Sequence, residues 1–506
     1  MEAGRYYISS FFWTATAKVL NAIVGFISVP LLLGCFGKAE YGILCLATAC
    51  NGYMHLLDLG MNTGAVKFYS GWKAEGKHDL LLKVAHSNLS FYAMIAACNA
   101  LMLILLGCFG ESLFSVSHEQ FILLRYSLFI IAIFSLFSWI TTAFNQLLIA
   151  DMQMSFTMKM QSLQALLKAV LIVLTLTLNL DMLWYFFLLT TLLSVLVIPY
   201  SLKCRKDGLI DSFRFEWHWT EFKPVLVFSL SIFALSVFQM TATQTRPIVL
   251  GMFGDDGAGL VADFNVLAVI PSLIISIGST FSTIFLPRSS ELVAKGDSDG
   301  ISRFSYRWTR YTSILANVLC VPFIFCAGEV LTAYVGEEYL PLSRWLVIWC
   351  LTVLVQVHTT PANSLVIAYG RTRQLVVTTA IACIVSIAIN IALCRVEGVG
   401  SAIIGYAVYV LIVIGLYYFY YYKKLLGLDR LRMAWSFLTP TAVAFAVLWL
   451  VSLVPFGADA FSGMNQRLSL VLVCVLKSLL WLLPYGAVLY ITGVVKKEDI
   501  EEVLGR

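Results

Sequence analysis

Charge is what this sequence has least of. Asp, Glu, Lys and Arg make up 12% of its 506 residues, whereas a soluble domain uses roughly 25% to cover its surface. A water-soluble globular fold is excluded on that ground. Metal-ligand patterning is absent too. The twelve cysteines, Cys35, Cys98, Cys320 and Cys383 among them, are scattered through or beside apolar runs and read as small packing residues. The six histidines (His55, His78, His86, His118, His218 and His358) share no repeated ligand spacing. There is no G-x-x-x-x-G-K-[ST] loop to hold ATP, and nothing calls for a cofactor. No polar stretch is long enough for a separate soluble domain. The basic residues occupy short loops between apolar runs, which argues against a nucleic-acid partner.

What the chain does have is hydrophobic length, with 60% apolar residues. Runs such as Phe11 to Leu33 and Ala434 to Val454 reach the ~20 residues that a helix needs to cross ~30 Å of hydrocarbon. About fourteen such spans are predicted, starting near residues 11, 43, 85, 122, 160, 183, 224, 262, 306, 342, 374, 399, 434 and 468. The first run is longer than the apolar core of a cleaved signal and is preceded by a single Arg5 beside Glu2, so the first helix is expected to stay.

Loop charges give the orientation. One side holds Arg5; Lys67, Lys73, Lys77 and Lys83; Lys159; and Lys203, Arg205, Lys206, Arg214 and Lys223. It continues with Arg288, Lys295, Arg303, Arg307 and Arg310; Arg371 and Arg373; Lys423, Lys424, Arg430 and Arg432; and Lys496, Lys497 and Arg506. The other side holds Lys38, Arg125, Arg344, Arg395 and Arg467. The 25-to-5 split survives every alternation, which places both termini in the cytoplasm. The far-side loops Gly254 to Asp263 and Gly328 to Glu338 are acidic and read as solvated.

Four bases, Lys18, Lys168, Arg246 and Lys477, and one acid, Asp58, remain inside spans. A charge at mid-bilayer costs ~2.5–3.5 kcal/mol on insertion scales and so faces a partner or a wet cavity, unless a long side chain snorkels to the interface. Helical spacing sets these residues on polar stripes. The first span carries Ser10, Thr14, Lys18, Asn21, Gly25 and Ser28; the second Thr48, Asn51, His55, Asp58 and Asn62. The seventh carries Ser229, Ser236, Gln239, Thr243 and Arg246; the eighth Ser272, Ser276, Ser279 and Thr283. The fifth adds Gln161, Gln164 and Lys168, and the tenth Thr352, Gln356, Thr359 and Asn363. Small polar stripes can also serve only close helix packing, a reading that suits the eighth span.

Stripes on spans one and two, matched by seven and eight, fit two six-helix halves in parallel orientation. The expected organisation is an N-terminal lobe over 1–202, a cytoplasmic linker over 203–223, a C-terminal lobe over 224–422, and two further spans with a tail over 423–506. The fold class is an all-α membrane protein with two six-helix lobes around a central cavity. That cavity is more basic than acidic, which suits phosphate or carboxylate ligands better than a cationic drug.

Three stretches resemble the Wzx-type polysaccharide flippases of the multidrug/oligosaccharidyl-lipid/polysaccharide exporter superfamily. The first is Val29-Pro30-Leu31-Leu32-Leu33 through Phe36-Gly37-Lys38-Ala39-Glu40-Tyr41-Gly42. The second is Leu57-Asp58-Leu59-Gly60-Met61-Asn62. The third runs from Asn363 through Ala368-Tyr369-Gly370-Arg371-Thr372-Arg373 and Asn390 to Gly398-Val399-Gly400-Ser401-Ala402. Where relatives often carry an acid before the base of the seventh span, this chain has Thr245-Arg246-Pro247, so no ion-coupling acid is carried over there.

The resemblance implies a MATE-like bundle that moves a polyprenyl-diphosphate-linked oligosaccharide from the cytoplasmic to the outer leaflet of a bacterial inner membrane by alternating access. The product would be a surface polysaccharide such as lipopolysaccharide O-antigen, with membrane lipids, a polysaccharide polymerase and glycosyltransferases as partners. The last two spans resemble those of the lipid II flippase branch, where they help form a lipid groove, which would set Lys477 beside it. The substrate-binding candidates are Lys18, Asn21, Asn51, Asp58, Asn62, Lys168, Gln239, Arg246, Gln356, Asn363 and Lys477. A drug or small-solute antiporter of the same fold, and a membrane-embedded glycosyl polymerase or ligase, are the alternatives. The enzyme reading expects a sizeable outer loop with clustered catalytic groups, which His118 and Glu119 only approach.

Overall fold

A computed structural model describes residues 2–212, 214–454 and 465–495. The tail over 496–506 and the side chains of the stripe positions Ser10, Ser236 and Thr283 lie outside the described residues. No strand occurs among those described, as expected where hydrocarbon offers a backbone N–H or C=O no partner except its own helix.

Helices start where the sequence supplies a cap. Ser117 and Gln120 form a reciprocal capping box at the head of α4 (His118–Ala150). Asp181 accepts the Trp184 N–H at 2.8 Å to start α6 (Met182–Ser194). Asn465 likewise caps α17 (Gln466–Ile491). Within helices, many hydroxyls donate back to a carbonyl one turn earlier, as Thr48 does to Leu44 and Ser229 to Val225, both at 2.8 Å. Part of each polar stripe is therefore satisfied by its own backbone.

Eleven helices among the described residues are long and apolar enough to cross a membrane. There are twelve if α10 (Ser298–Phe325) and α11 (Ala327–Tyr334), bent by 73°, form one span. Two features separate this from the fourteen expected. The first two predicted spans lie in one helical element, α1 (Glu2–Met54), interrupted only at Gly37 with φ 75° and ψ 171°. At 1.5 Å per residue, the apolar stretch Phe12–Asp58 of 47 residues is about 70 Å long, over twice the hydrocarbon thickness, so Gly37 parts two legs of span length. The seventh predicted span, α8 (Trp219–Phe253), is not among the eleven.

By packing, the chain divides into residues 1–265 with 390–399, and residues 266–389 with 400–506. The boundary falls inside α9 (Gly257–Lys295), and α8 packs with the preceding helices.

In the first unit, α3 (His78–Phe109) pairs with α4, and α1 with α5 (Met154–Leu178). Its core gathers Met61, Tyr69, Tyr92, Trp139, Phe144, Tyr200 and Phe222. Loops assigned to the basic side are joined to one another. Lys73 pairs with Asp151, Gln153 donates to Asp207 at 2.5 Å, and His86 faces Asp211 at 2.7 Å. The His86 hydrogen bond holds the exposed Asp211 carboxyl below the usual carboxylate range. Far-side loops meet at the opposite end: Ser115 exchanges backbone bonds with Gly251 and Gly257, and Lys38 pairs with Asp263 at 2.7 Å. Asp263 is 7% exposed, which corrects the reading of its loop as simply solvated.

The second unit packs α10 against α12 (Ser343–Val357) and α16 (Arg430–Ser452). Tyr417, Tyr421 and Tyr422 of a π-helical segment, Tyr417–Leu425, join Phe285, Phe304 and Met433 in its core. Its basic loops also converge. The Asp429 N–H donates to Tyr306 at 2.9 Å, Arg432 lies over the Tyr306 ring at 4.5 Å, and Arg310 donates to the Val494 carbonyl. Large apolar side chains such as Leu101, Val173, Trp449 and Leu483 remain exposed, the arrangement of a surface bathed in lipid rather than water.

Glycines set the closest approaches. Gly60 has φ 76°, and a Cβ there would lie 2.5 Å from the Ser229 carbonyl oxygen of α8. Gly60→Ala is expected to destabilise the protein by at least the ~1–3 kcal/mol of a strained left-handed backbone. A lower thermal midpoint in detergent than Gly71→Ala, which meets open space, checks this; equal midpoints would refute it.

Candidate functional site

Asp58 sits at a break in the chain. The turn His55–Asp58 is followed by Leu59 (φ 50°) and Gly60 (φ 76°), both left-handed, and α2 (Met61–Ala74) then starts in a new direction. Asp58 Oδ2 accepts the Asn62 N–H at 3.2 Å, serving the free end of α2. Its other oxygen, Oδ1, accepts the Tyr92 hydroxyl at 2.5 Å. Two hydrogen bonds to a carboxylate, each worth about 1.5–3 kcal/mol, are enough to offset the ~2.5–3.5 kcal/mol cost of the charge.

The chain of donors continues inward. Gln146 Nε2 donates to the Tyr92 oxygen at 2.5 Å, and Asn88 Nδ2 donates to Gln146 Oε1 at 2.8 Å. Asn88, Tyr92 and Gln146 are all buried, and the Tyr92 ring stacks on Trp139 at 5.9 Å. Every donor in this series points towards Asp58, so each bond polarises the next. No base pairs with Asp58 among the described residues.

The other first-unit candidates are separate from this series. Lys18 and Asn21 are exposed on α1, and Asn21 Nδ2 is bonded to the Ala17 carbonyl at 2.9 Å. Asn51 is half-buried and accepts from Asn99 at 3.4 Å. Lys168 is half-buried on α5, and Gln239 is exposed on α8. Neither Lys18 nor Lys168 forms an ion pair among the described residues. Arg246 is 5% exposed, and its carbonyl accepts from Asn390 Nδ2 of α14 (Arg373–Glu397) at 3.4 Å. Gln239 and Arg246, seven residues apart, share a face of α8.

In the second unit Gln356 accepts from the Tyr406 hydroxyl, and Asn363 Oδ1 accepts from Tyr417 at 2.9 Å. Lys477 Nζ lies 2.5 Å from Glu329 and 5.4 Å from the Phe325 ring centre. Glu329, expected as a solvated loop acid, is thus the partner that lets Lys477 sit at depth. The pair ties α17 to the bend between α10 and α11.

Sequence reasoning missed Asn88, Tyr92 and Gln146, the groups that hold Asp58. A signal existed on α3: Asn88, Tyr92 and Asn99 follow helical steps on one face. The same series predicts that Tyr92→Phe leaves Gln146 and Asp58 each short of a buried partner. A loss of about 1–3 kcal/mol in stability is expected, read from denaturant unfolding in detergent micelles; an unchanged midpoint would show that the series carries no weight.

Known proteins share the fold and, over part of the chain, the family. A family model described as polysaccharide biosynthesis protein matches residues 8–293. The search of curated proteins finds no match. Among solved structures, the lipid II flippase MurJ in an inward closed conformation is similar, with a TM-score of 0.68 at 14% identity, over 97% of this chain and 99% of that one. An inward-facing multidrug resistance MATE family transporter of the MOP superfamily matches with a TM-score of 0.61 at 14% identity, over 78% and 92%. The Vibrio cholerae MATE transporter VcmN, in its bent form, matches with a TM-score of 0.51 at 13% identity, over 81% and 94%. The family match covers more than half of the chain, and its segment includes Lys18, Asp58, Lys168 and Arg246. This multi-pass, all-helical protein, with a fold of the MurJ and MATE type, belongs to the polysaccharide biosynthesis protein family.

Proposed function

We propose that the chain is a flippase that carries a polyprenyl-diphosphate-linked oligosaccharide from the cytoplasmic to the outer leaflet of a bacterial inner membrane, for assembly of a surface polysaccharide. The observation that carries this reading is the family match across the segment holding every acid and base left inside the first unit's spans. A polysaccharide biosynthesis protein built from apolar helices has as its natural cargo a sugar made soluble in lipid. The fold shared with a lipid II flippase supports the same class of cargo.

The residues divide the work by chemistry. Lys18, Lys168 and Arg246 supply positive charge for the diphosphate, with Arg246 able to bind two oxygens at once. Asn21, Asn51, Asn62, Gln239, Gln356 and Asn363 supply amides for sugar hydroxyls. No P-loop is present, so movement draws on an ion gradient or on downhill flow of substrate. Asp58 is the group proposed to take up a coupling proton. Its carboxyl ends a directed series of hydrogen bonds, and a proton gained there would reverse the role of the oxygen that accepts from Tyr92. The orientation rests on the positive-inside rule and is supported by the meeting of basic loops at one end of each unit.

The test is leaflet-to-leaflet movement of a lipid-linked oligosaccharide in proteoliposomes. Lys18→Ala and Arg246→Gln are each expected to slow movement at least about tenfold, a barrier change of ~1.4 kcal/mol, with the protein folded and inserted at wild-type level. Wild-type rates in both would remove the assignment. Asp58→Asn is expected to abolish the pH dependence of the rate. If the variant transports normally with unchanged pH dependence, the coupling role of Asp58 fails.

A further inference from the structure

At the basic ends of both units, several cations are held by carboxylates. In the first unit Lys73 pairs with Asp151, Lys77 with Glu75 and Lys203 with Asp207. In the second, Arg288 and Lys295 share Glu291 at 2.6 and 2.5 Å. Arg371, Arg373, Lys423 and Lys424 depart from this pattern. All four are exposed, and none forms an ion pair among the described residues.

The fold gathers these four cations into one place. The chain turns at Gly370 (φ 66°) between α13 (Thr360–Ala368) and α14, which puts Arg371 in the turn and Arg373 at the start of α14. Tyr421 of the π-helical segment donates to the Arg371 carbonyl at 3.0 Å, and Gln374 donates to the Tyr420 hydroxyl at 3.2 Å. Lys424 Nζ is 5.6 Å from the Tyr420 ring centre. Two tyrosines therefore fasten the turn to the segment that ends in Lys423 and Lys424. π-Helical winding is rare and concentrates at functional sites.

We propose that Arg371, Arg373, Lys423 and Lys424 form a receiving site for the diphosphate of a polyprenyl-linked substrate, which it holds at the membrane surface before transport. This proposal rests on the flippase reading and adds to it a place of first capture. The charge fits: a diphosphate ester bears two negative charges, and four uncompensated cations exceed what one singly charged phospholipid head group can neutralise. The chemistry fits, since Arg grips paired phosphate oxygens and Lys adds mobile point charges. The location fits, because the cluster adjoins the ends of the apolar spans Arg373–Glu397 and Val399–Leu425. There a head group can bind while its prenyl chain stays in the bilayer.

The experiment titrates the full-length protein, in a nonionic detergent, with a polyprenyl diphosphate and separately with phosphatidylglycerol. The variant carries Arg371→Gln, Arg373→Gln, Lys423→Gln and Lys424→Gln. The tyrosine fastening uses the Arg371 backbone and the Gln374 side chain, so it is retained. The dissociation constant for the polyprenyl diphosphate is expected to rise at least about tenfold. Wild-type binding should weaken with added salt more steeply than that of the variant. Should the fourfold variant melt early, Lys423→Gln with Lys424→Gln alone is expected to weaken binding in the same direction.

Equal binding by wild type and variants would overturn the site while leaving the flippase reading intact. Phosphatidylglycerol binding as tightly as the diphosphate, with the same loss in the variant, would assign the cluster to ordinary acidic lipid and overturn the proposal. Failure of the wild type to bind any polyprenyl diphosphate would overturn the flippase reading and this site together.

Discussion

Hydrocarbon holds no water, so every polar group that enters it must bring its partner from the protein. Backbone groups meet the demand by closing into helices, and this explains the absence of strands among the described residues. Side chains meet it in three ways. Hydroxyls return to the carbonyl one turn back, as Ser229 does. Amides and phenols pair across helices, as Tyr417 and Asn363 do. A charged group recruits several partners at once, as Asp58 does with Tyr92 and Asn62, or an opposite charge, as Lys477 does with Glu329. The last two kinds determine which helices must lie together, since neither Asp58 nor Lys477 can be satisfied by its own helix.

Much of the fold was legible because the same constraint writes itself into one-dimensional pattern. Apolar runs locate spans, and the scarcity of charge excludes a water-soluble globular fold. The Leu57-to-Asn62 stretch could be recognised before its shape was known, and the structure shows what its residues do. Leu59 and Gly60 turn the chain through left-handed conformations, and Asp58 serves the new helix end. The Gly-Lys-Ala-Glu-Tyr-Gly stretch has a similar account. Gly37 parts the two legs of α1, Lys38 reaches Asp263, and a Cβ on Gly42 would collide with the Ala258 carbonyl.

Partners were the part that sequence could not supply. Asp263 and Glu329 looked like solvated loop acids because their neighbours in sequence are polar and the far side is short of bases. Each meets a lysine far away in the chain, Lys38 or Lys477, and only folding brings those residues together. The packing partners of α8 were hidden for a related reason. Gly60 and Gly64, at the start of α2, both pack against Ser229 of α8. Small residues decide how closely two helices approach, and this contact, invisible in the stripe pattern, keeps α8 with the first unit.

The distribution of charge has a further consequence for how such a protein can handle an anionic lipid. A cation already paired, like Lys73 or Lys477, can take a phosphate only by giving up its carboxylate, leaving that acid exposed to the loss. An unpaired cation has no such competitor. Lys18, Lys168 and the four bases around Tyr420 and Tyr421 are among those with no ion pair among the described residues. The first two lie within spans and the last four at a membrane end. Under the proposed function, affinity for a head group falls to cations without a carboxylate partner, while the paired lysines remain fixed as parts of the frame.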